Sequence, residues 1–260
     1  MKTKIYQVDA FTEKLYGGNP AAVCPLDKWL DESIMQNIAS ENNLSETAFF
    51  VKEKDGLHIR WFTPAVEVDL CGHATLASAH VIFHHLKYKD DVIVFHSKSG
   101  ELTVSRHDEL IALNFPADKP QKTVAPNELI AGIEIVPLET YKGKTDYMLI
   151  YLSQKQIEII SPEFQVLEKA KARGVIVTAK GDETDFVSRF FAPQSGVNED
   201  PVTGSSHTML IPYWSNKLGK KELTAKQISK RQGLLWCKDL GDRVEIAGKA
   251  VTYLIGEIDV

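Results

Sequence analysis

The sequence predicts an α+β protein built as two related halves. Three observations carry that prediction: a motif that occurs twice, a buried helix after each copy, and many short strands around both. Arg60-Trp61-Phe62-Thr63-Pro64 leads to Asp69-Leu70-Cys71-Gly72-His73-Ala74. Far downstream, Arg189-Phe190-Phe191-Ala192-Pro193 leads to Asp200-Pro201-Val202-Thr203-Gly204-Ser205. Each copy reads Arg-aromatic-Phe-x-Pro, then Asp, then Gly, then an apolar run with small residues. Their separation far exceeds the period of a solenoid, about 20–50 residues, so the echo implies duplicated half-domains.

The elements follow in chain order. Alternating apolar runs predict strands at Ile5–Val8, Ala48–Val51 and His58–Phe62. Pro64 cannot continue a central strand. Gly72 to Leu86 is apolar nearly all round (Ala74, Leu76, Ala77, Ala79, Val81, Ile82, Phe83), the mark of a buried helix. Further strands are predicted at Val92–Phe95, Leu102–Ser105 and Leu110–Phe115. The Pro116 to Pro126 stretch is the candidate crossing, giving halves at 1–117 and 118–260. The second half repeats the plan with strands at Gly174–Thr178, Phe186–Phe191 and Arg243–Ala247. Its helix, Gly204 to Leu218, contains Pro212, which is expected to kink or shorten it. Many strands with one buried helix per half indicate α+β and not a doubly wound sheet.

Composition narrows the function. The 260 residues are 43% hydrophobic and 25% charged, with net charge −5, which describes a globular protein with no signal for nucleic acid or an anionic membrane. Met1-Lys2-Thr3-Lys4 is followed by no apolar signal region, and no run approaches the roughly 18 apolar residues that span a bilayer. Cys24, Cys71 and Cys237 are odd in number and widely spaced, which suits reduced thiols. The expected compartment is cytoplasmic.

The chemistry concentrates at the two helix starts. A helix N-terminus offers unpaired N–H groups and partial positive charge to a carboxylate or phosphate. Gly72 and Gly204 let a ligand approach, although tight strand-to-helix turns alone would also explain them. In Asn43-Leu44-Ser45-Glu46-Thr47-Ala48-Phe49-Phe50-Val51, a strand puts Glu46 on one face with Ala48 and Phe50. Desolvation there is expected to raise its pKa and suit it to carry a proton, while an ordinary ion pair is the competing reading. His73 could relay a proton or simply start the helix. Asp200 could bind substrate or cap the second helix, and Asp69 is read as a turn or cap.

Other chemistries lack their signatures. There is no G-x-G-x-x-G and no Walker motif. His80 and His84 have i, i+4 spacing but no further ligand and are expected on the helix surface, so no metal site is assigned. Ser205-Ser206-His207 lacks the G-x-S-x-G elbow of a serine hydrolase.

The motifs together resemble the PhzF-like phenazine-biosynthesis family. The resemblance rests on Val8-Asp9-Ala10-Phe11, Gly18-Asn19-Pro20-Ala21-Ala22-Val23, Asn43 to Phe49, Asp69 to Thr75 and Glu199 to Ser205. It continues through Pro212-Tyr213-Trp214 and Gly241-Asp242-Arg243-Val244, covering nearly the whole chain. It implies a diaminopimelate epimerase-like fold: two pseudo-symmetric β-barrel-like halves, each around a central helix, with the site between them, and a homodimer. It implies Glu46 as general acid/base, with His73 and Asp200 assisting or binding substrate. Gly72, Gly204 and Ser205 would present donors to substrate oxygens, and no cofactor would be needed. The chain departs from the two-cysteine racemases of this fold. Cys71 holds the first cysteine position, but the second is read as Pro201. Lys230-Arg231-Gln232-Gly233 stands where the family more usually has Arg-Gly-Gly.

The resulting expectation is an isomerase moving a proton on a small carboxylate-bearing amino or hydroxy acid. One-sided epimerisation or racemisation with Cys71 as base, and a non-catalytic metabolite-binding protein, are the alternatives.

Overall fold

The computed structural model describes residues 2–54 and 56–260. The chain forms two compact units, Met1–Asn114 with Ala247–Val260, and Phe115–Ile246.

In the first unit, β1 (Lys2–Ala10) pairs antiparallel with β2 (Asn19–Leu26). Helix α1 (Glu32–Asn42) returns the chain to β3 (Glu46–Glu53), which runs parallel to β2 with Glu46 opposite Ala21. Then come β4 (Gly56–Phe62) and β5 (Glu67–Val68), each antiparallel to its predecessor. Helix α2 (Gly72–His85) follows, and β6 (Val92–Ser97) comes back parallel to β4. Strand β7 (Gly100–His107) pairs with β6 and β8 (Leu110–Pro116) with β7, both antiparallel.

Helix α2 packs against β1, β2 and β3, and every residue from His73 to Phe83 is buried. An all-round apolar helix is stable only with neighbours on all sides. Its buried hydroxyls are satisfied within the helix, Thr75 Oγ1 donating to Cys71 O at 2.5 Å and Ser78 Oγ to Ala74 O at 2.7 Å. His80, expected at the surface, is instead buried and stacks on His84 with ring centroids 4.3 Å apart. A helix wrapped by strands has no free face to hold it.

The second unit contains β9 (Gln121–Thr123), α3 (Asn127–Ile133), β10 (Glu139–Lys142), β11 (Tyr147–Ile150), α4 (Gln154–Ile159) and α5 (Phe164–Leu167). It continues through β12 (Val175–Lys180), β13 (Phe186–Ala192), β14 (Val197–Asp200), α6 (Gly204–Leu218), β15 (Glu222–Gln227), β16 (Gly233–Asp239) and β17 (Arg243–Gly248). From β10 to β16 the pairing repeats that from β1 to β7. The order is antiparallel, parallel, antiparallel, antiparallel, a parallel return across the helix, then antiparallel. The duplication seen as a short motif is therefore a duplication of topology.

The repeated arginine explains part of the motif. Arg60 of β4 grips Glu67 of β5 with two bonds of 2.7 Å and lies over the Phe62 ring. Arg189 of β13 grips Glu199 of β14 at 2.7 and 2.9 Å and lies over Phe191. Each pair fastens the short strand that precedes a helix start.

Two expectations are corrected here. Pro212 neither ends nor shortens α6, which runs unbroken to Leu218. Proline removes the N–H that Thr208 O would accept, and the Asp118 N–H fills that place at 3.0 Å. The last segment, expected in the half 118–260, joins the first unit as β18 (Ala250–Asp259), antiparallel to β1. Among the described residues, no helix is long and apolar enough to cross a membrane.

Candidate functional site

In the first unit, three predicted or alternative site residues meet at the start of α2. Glu46 is the first residue of β3, Cys71 is the extended residue before α2, and His73 lies in its first turn. His73 Nε2 contacts Glu46 Oε2 at 3.1 Å. His73 Nδ1 lies 3.5 Å from Cys71 Sγ and 3.2 Å from Asn19 Nδ2. Glu46 and His73 thus face each other as a largely buried ion pair. One oxygen, one sulfur and one ring nitrogen of the three residues lie within 4.8 Å of one another. The His73 side chain is 6% exposed, whereas Glu46 keeps 18% and so opens outward.

The electrostatics reverse one expectation. Burial pushes the Glu46 carboxyl up, as anticipated, but the adjacent His73 charge, with help from Cys71, outweighs it and holds the group below its ordinary value. Burial likewise works to strip His73 of its proton. The neighbouring Cys71 sulfur and Glu46 carboxylate win, and its pKa lies well above the ordinary histidine value. Burial, reinforced by Glu46, pushes the Cys71 thiol up to about 11. The Glu46 carboxyl is thus held toward its ionised form and the His73 ring toward its charged form. A side-chain face shared with Ala48 and Phe50 predicts only the desolvation, whereas the partner that overrides it lies 27 positions along.

The second unit builds a different helix start. Asp200 ends β14, and its Oδ2 accepts from Thr203 Oγ1 at 2.5 Å. Gln227 braces the turn: its Nε2 donates to Asp200 O at 2.8 Å and its Oε1 accepts from the Thr203 N–H at 2.9 Å. Ser205 Oγ accepts from Arg173 Nη2 at 3.0 Å, and Arg173 is itself held by the buried Asp146. Thr203 precedes Gly204 in the extended conformation (φ −112°, ψ 100°) that Cys71 adopts before Gly72 (φ −141°, ψ 115°). In its place before the helix-starting glycine, Thr203 corresponds to Cys71. A threonine hydroxyl bound to a carboxylate is no thiol base, so the departure from a two-thiol pair stands. No side-chain hydrogen bond from Cys71 or Thr203 caps its helix, which leaves first-turn N–H groups at Gly72, Gly204 and Ser205 for a ligand.

Sequence reasoning missed Asn19, Thr203, Gln227 and Arg173. Asn19 had a signal: it follows Gly18, whose φ of +59° and closeness to Ala10 O exclude a side chain. The others are recognisable only from long-range contacts.

Comparison with known proteins shows the family and the fold. The family model described as phenazine biosynthesis-like protein, PhzC-PhzF, matches residues 8–256. A Pseudomonas aeruginosa protein named as an uncharacterized isomerase is 49% identical over 258 residues, covering 99% of each chain. The crystal structure of an Enterococcus faecalis protein of the PhzF family superposes with TM-score 0.97 at 45% identity, covering 100% of both chains. A predicted epimerase from Pseudomonas aeruginosa, 18% identical with TM-score 0.74 over 99% of each chain, shares the fold, which is the diaminopimelate epimerase-like one.

Proposed function

Because the chain belongs to the phenazine biosynthesis-like PhzC-PhzF family, we propose that it is a cofactor-independent isomerase that shifts a proton on a small carboxylate-bearing amino or hydroxy acid. The buried 3.1 Å contact between Glu46 and His73 carries this reading. A carboxylate held below its ordinary pKa is ionised at neutral pH and ready to accept a proton from an activated carbon. Having taken it, Glu46 becomes the acid and returns it to a different carbon of the same substrate. His73 keeps the carboxylate ionised and oriented. Asp200 and the Gly204-Ser205 turn are assigned to substrate polar groups, with Gly72 offering a further backbone donor.

A neutral Cys71 thiol, pushed up to about 11, speaks against Cys71 as the base. The test is solvent deuterium incorporation into substrate, with candidate acids first chosen by thermal shift. Glu46→Gln is expected to keep ligand-induced stabilisation and lose incorporation by about 10²–10⁴-fold. Full incorporation by that variant overturns the assignment of Glu46. Stabilisation without exchange in the unaltered protein would mark a binding protein.

A further inference from the structure

The trio at the start of α2 brings a carboxylate oxygen, a thiol sulfur and an imidazole nitrogen within 4.8 Å of one another in a buried setting. From bond lengths of about 2.3 Å to sulfur and about 2.0 Å to nitrogen, a tetrahedral zinc ion holds those two donors roughly 3.5 Å apart. Cys71 Sγ and His73 Nδ1 are 3.5 Å apart. The Glu46 carboxylate contacts the other ring nitrogen, Nε2, at 3.1 Å, and one of its oxygens must turn toward the sulfur for all three to share one ion.

The geometry points to Glu46, Cys71 and His73 as an inhibitory binding site for one thiophilic divalent cation of the zinc class, with a fourth position left to water or ligand. Three protein donors and an open fourth position are the usual pattern of a reactive zinc site. The charges also balance. A +2 ion with one thiolate, one carboxylate and one neutral imidazole has no net charge, which is what a buried site tolerates. On binding, the Cys71 S–H bond and one N–H bond of the charged His73 ring break, metal–sulfur and metal–nitrogen bonds form and both protons leave to solvent, with no change of oxidation state. The ion occupies the Glu46 lone pairs that the proposed proton shift uses, so it blocks that reaction.

The inhibitory consequence rests on the isomerase reading, but the binding does not. Cobalt(II) titrated into the metal-free protein reports it directly, because a cobalt–thiolate bond gives a near-ultraviolet charge-transfer band. One equivalent is expected to produce the band, and zinc to abolish it by displacement. Cys71→Ser is expected to remove the band and weaken zinc binding about 100-fold or more against a chromophoric chelator, since even outer partners of a metal site are worth 10–100-fold. Glu46→Gln keeps sulfur and nitrogen, so it is expected to retain the band at weaker affinity. This second variant keeps the test valid if Cys71→Ser folds poorly. A His84→Ala/His85→Ala variant is expected to leave the band in place. No band, or a band lost only with the His84 and His85 changes, overturns the site. A band in a protein that performs no proton exchange would defeat the isomerase reading alone.

Discussion

The two helix starts share a scaffold and differ in chemistry. Both follow a short strand pinned by a bidentate Arg–Glu pair, and both place an extended residue before a glycine. The first then presents Cys71, His73 and Glu46 as a buried charged cluster. The second presents Thr203, Ser205 and Asp200, tied down by Gln227 and Arg173. Duplication kept what fixes the backbone, while the buried titratable cluster occurs at the first helix start and not at the second. A reaction needing two opposed bases is poorly served by such a pair, whereas one base acting twice is well served.

The largest effects should separate the two sides. His73→Asn removes the group that holds Glu46 ionised, and exchange is expected to fall about 10²-fold or more. Thr203→Val removes the hydroxyl that donates to the Asp200 carboxylate and accepts from Gln227 Nε2, a charge-assisted contact worth about 1.5–3 kcal/mol, and exchange is expected to fall by about tenfold, less than in His73→Asn. Cys71→Ser should stay within the same tenfold. Measured by deuterium incorporation, an equal loss in Thr203→Val and His73→Asn would make the site two-sided. A Cys71→Ser variant with no exchange would restore the thiol as the base.

That asymmetry was partly legible in the sequence. The Arg, Pro, Asp and Gly of the repeat are residues whose backbone and charge roles tolerate little change, so the duplication survived as text. Glu46 could be named from the apolar face of its strand and His73 from its place at the helix start, with their roles implied by the family resemblance. The direction of the Glu46 shift could not, because it depends on a contact made across the fold. Asn19 meets His73 across 54 positions. Strand β18 pairs with β1 from the other end of the chain, and no local pattern announces such a partner. Pro212 argues locally for a broken helix, but a single N–H from Asp118 satisfies the stranded carbonyl. At Gln232, where the family more usually has glycine, the chain still takes a left-handed conformation with φ 56°.

The shared scaffold makes its own prediction. Arg60 and Arg189 are mostly buried, with 21% and 13% of their side chains exposed. Replacing either by methionine keeps much of the packing but removes the bidentate partner of its glutamate, Glu67 keeping only Lys98. The expected cost is about 2–3 kcal/mol in each unit, below the 3–5 kcal/mol of a fully buried pair. Denaturant unfolding checks it. Similar losses in the two variants support equivalent clamps. A loss confined to one would show that only that copy still fastens its helix start.

The smallest effect lies deeper in the same two helices. Burial, with nearby His84 and His85, holds His80 of α2 down to about 3, and burial holds His207 of α6 down to about 4. His207 Nδ1 donates to Thr203 O at 2.8 Å, which sets the ring's tautomer and only partly offsets the effect of burial. Both folded values lie below the unfolded value of 6.5, so the unfolded chain binds more protons as pH falls. Stability is therefore unaffected above about pH 7 and declines progressively from 6.5 towards the folded values. At pH 5 each histidine costs up to about 2 kcal/mol, being about 1.5 pH units below the unfolded pKa. His80→Gln and His207→Gln should each flatten the acid limb of a stability–pH curve by about that amount relative to the unaltered protein. An acid limb that neither substitution changes would mean that the two helices are not the parts that fail first in acid.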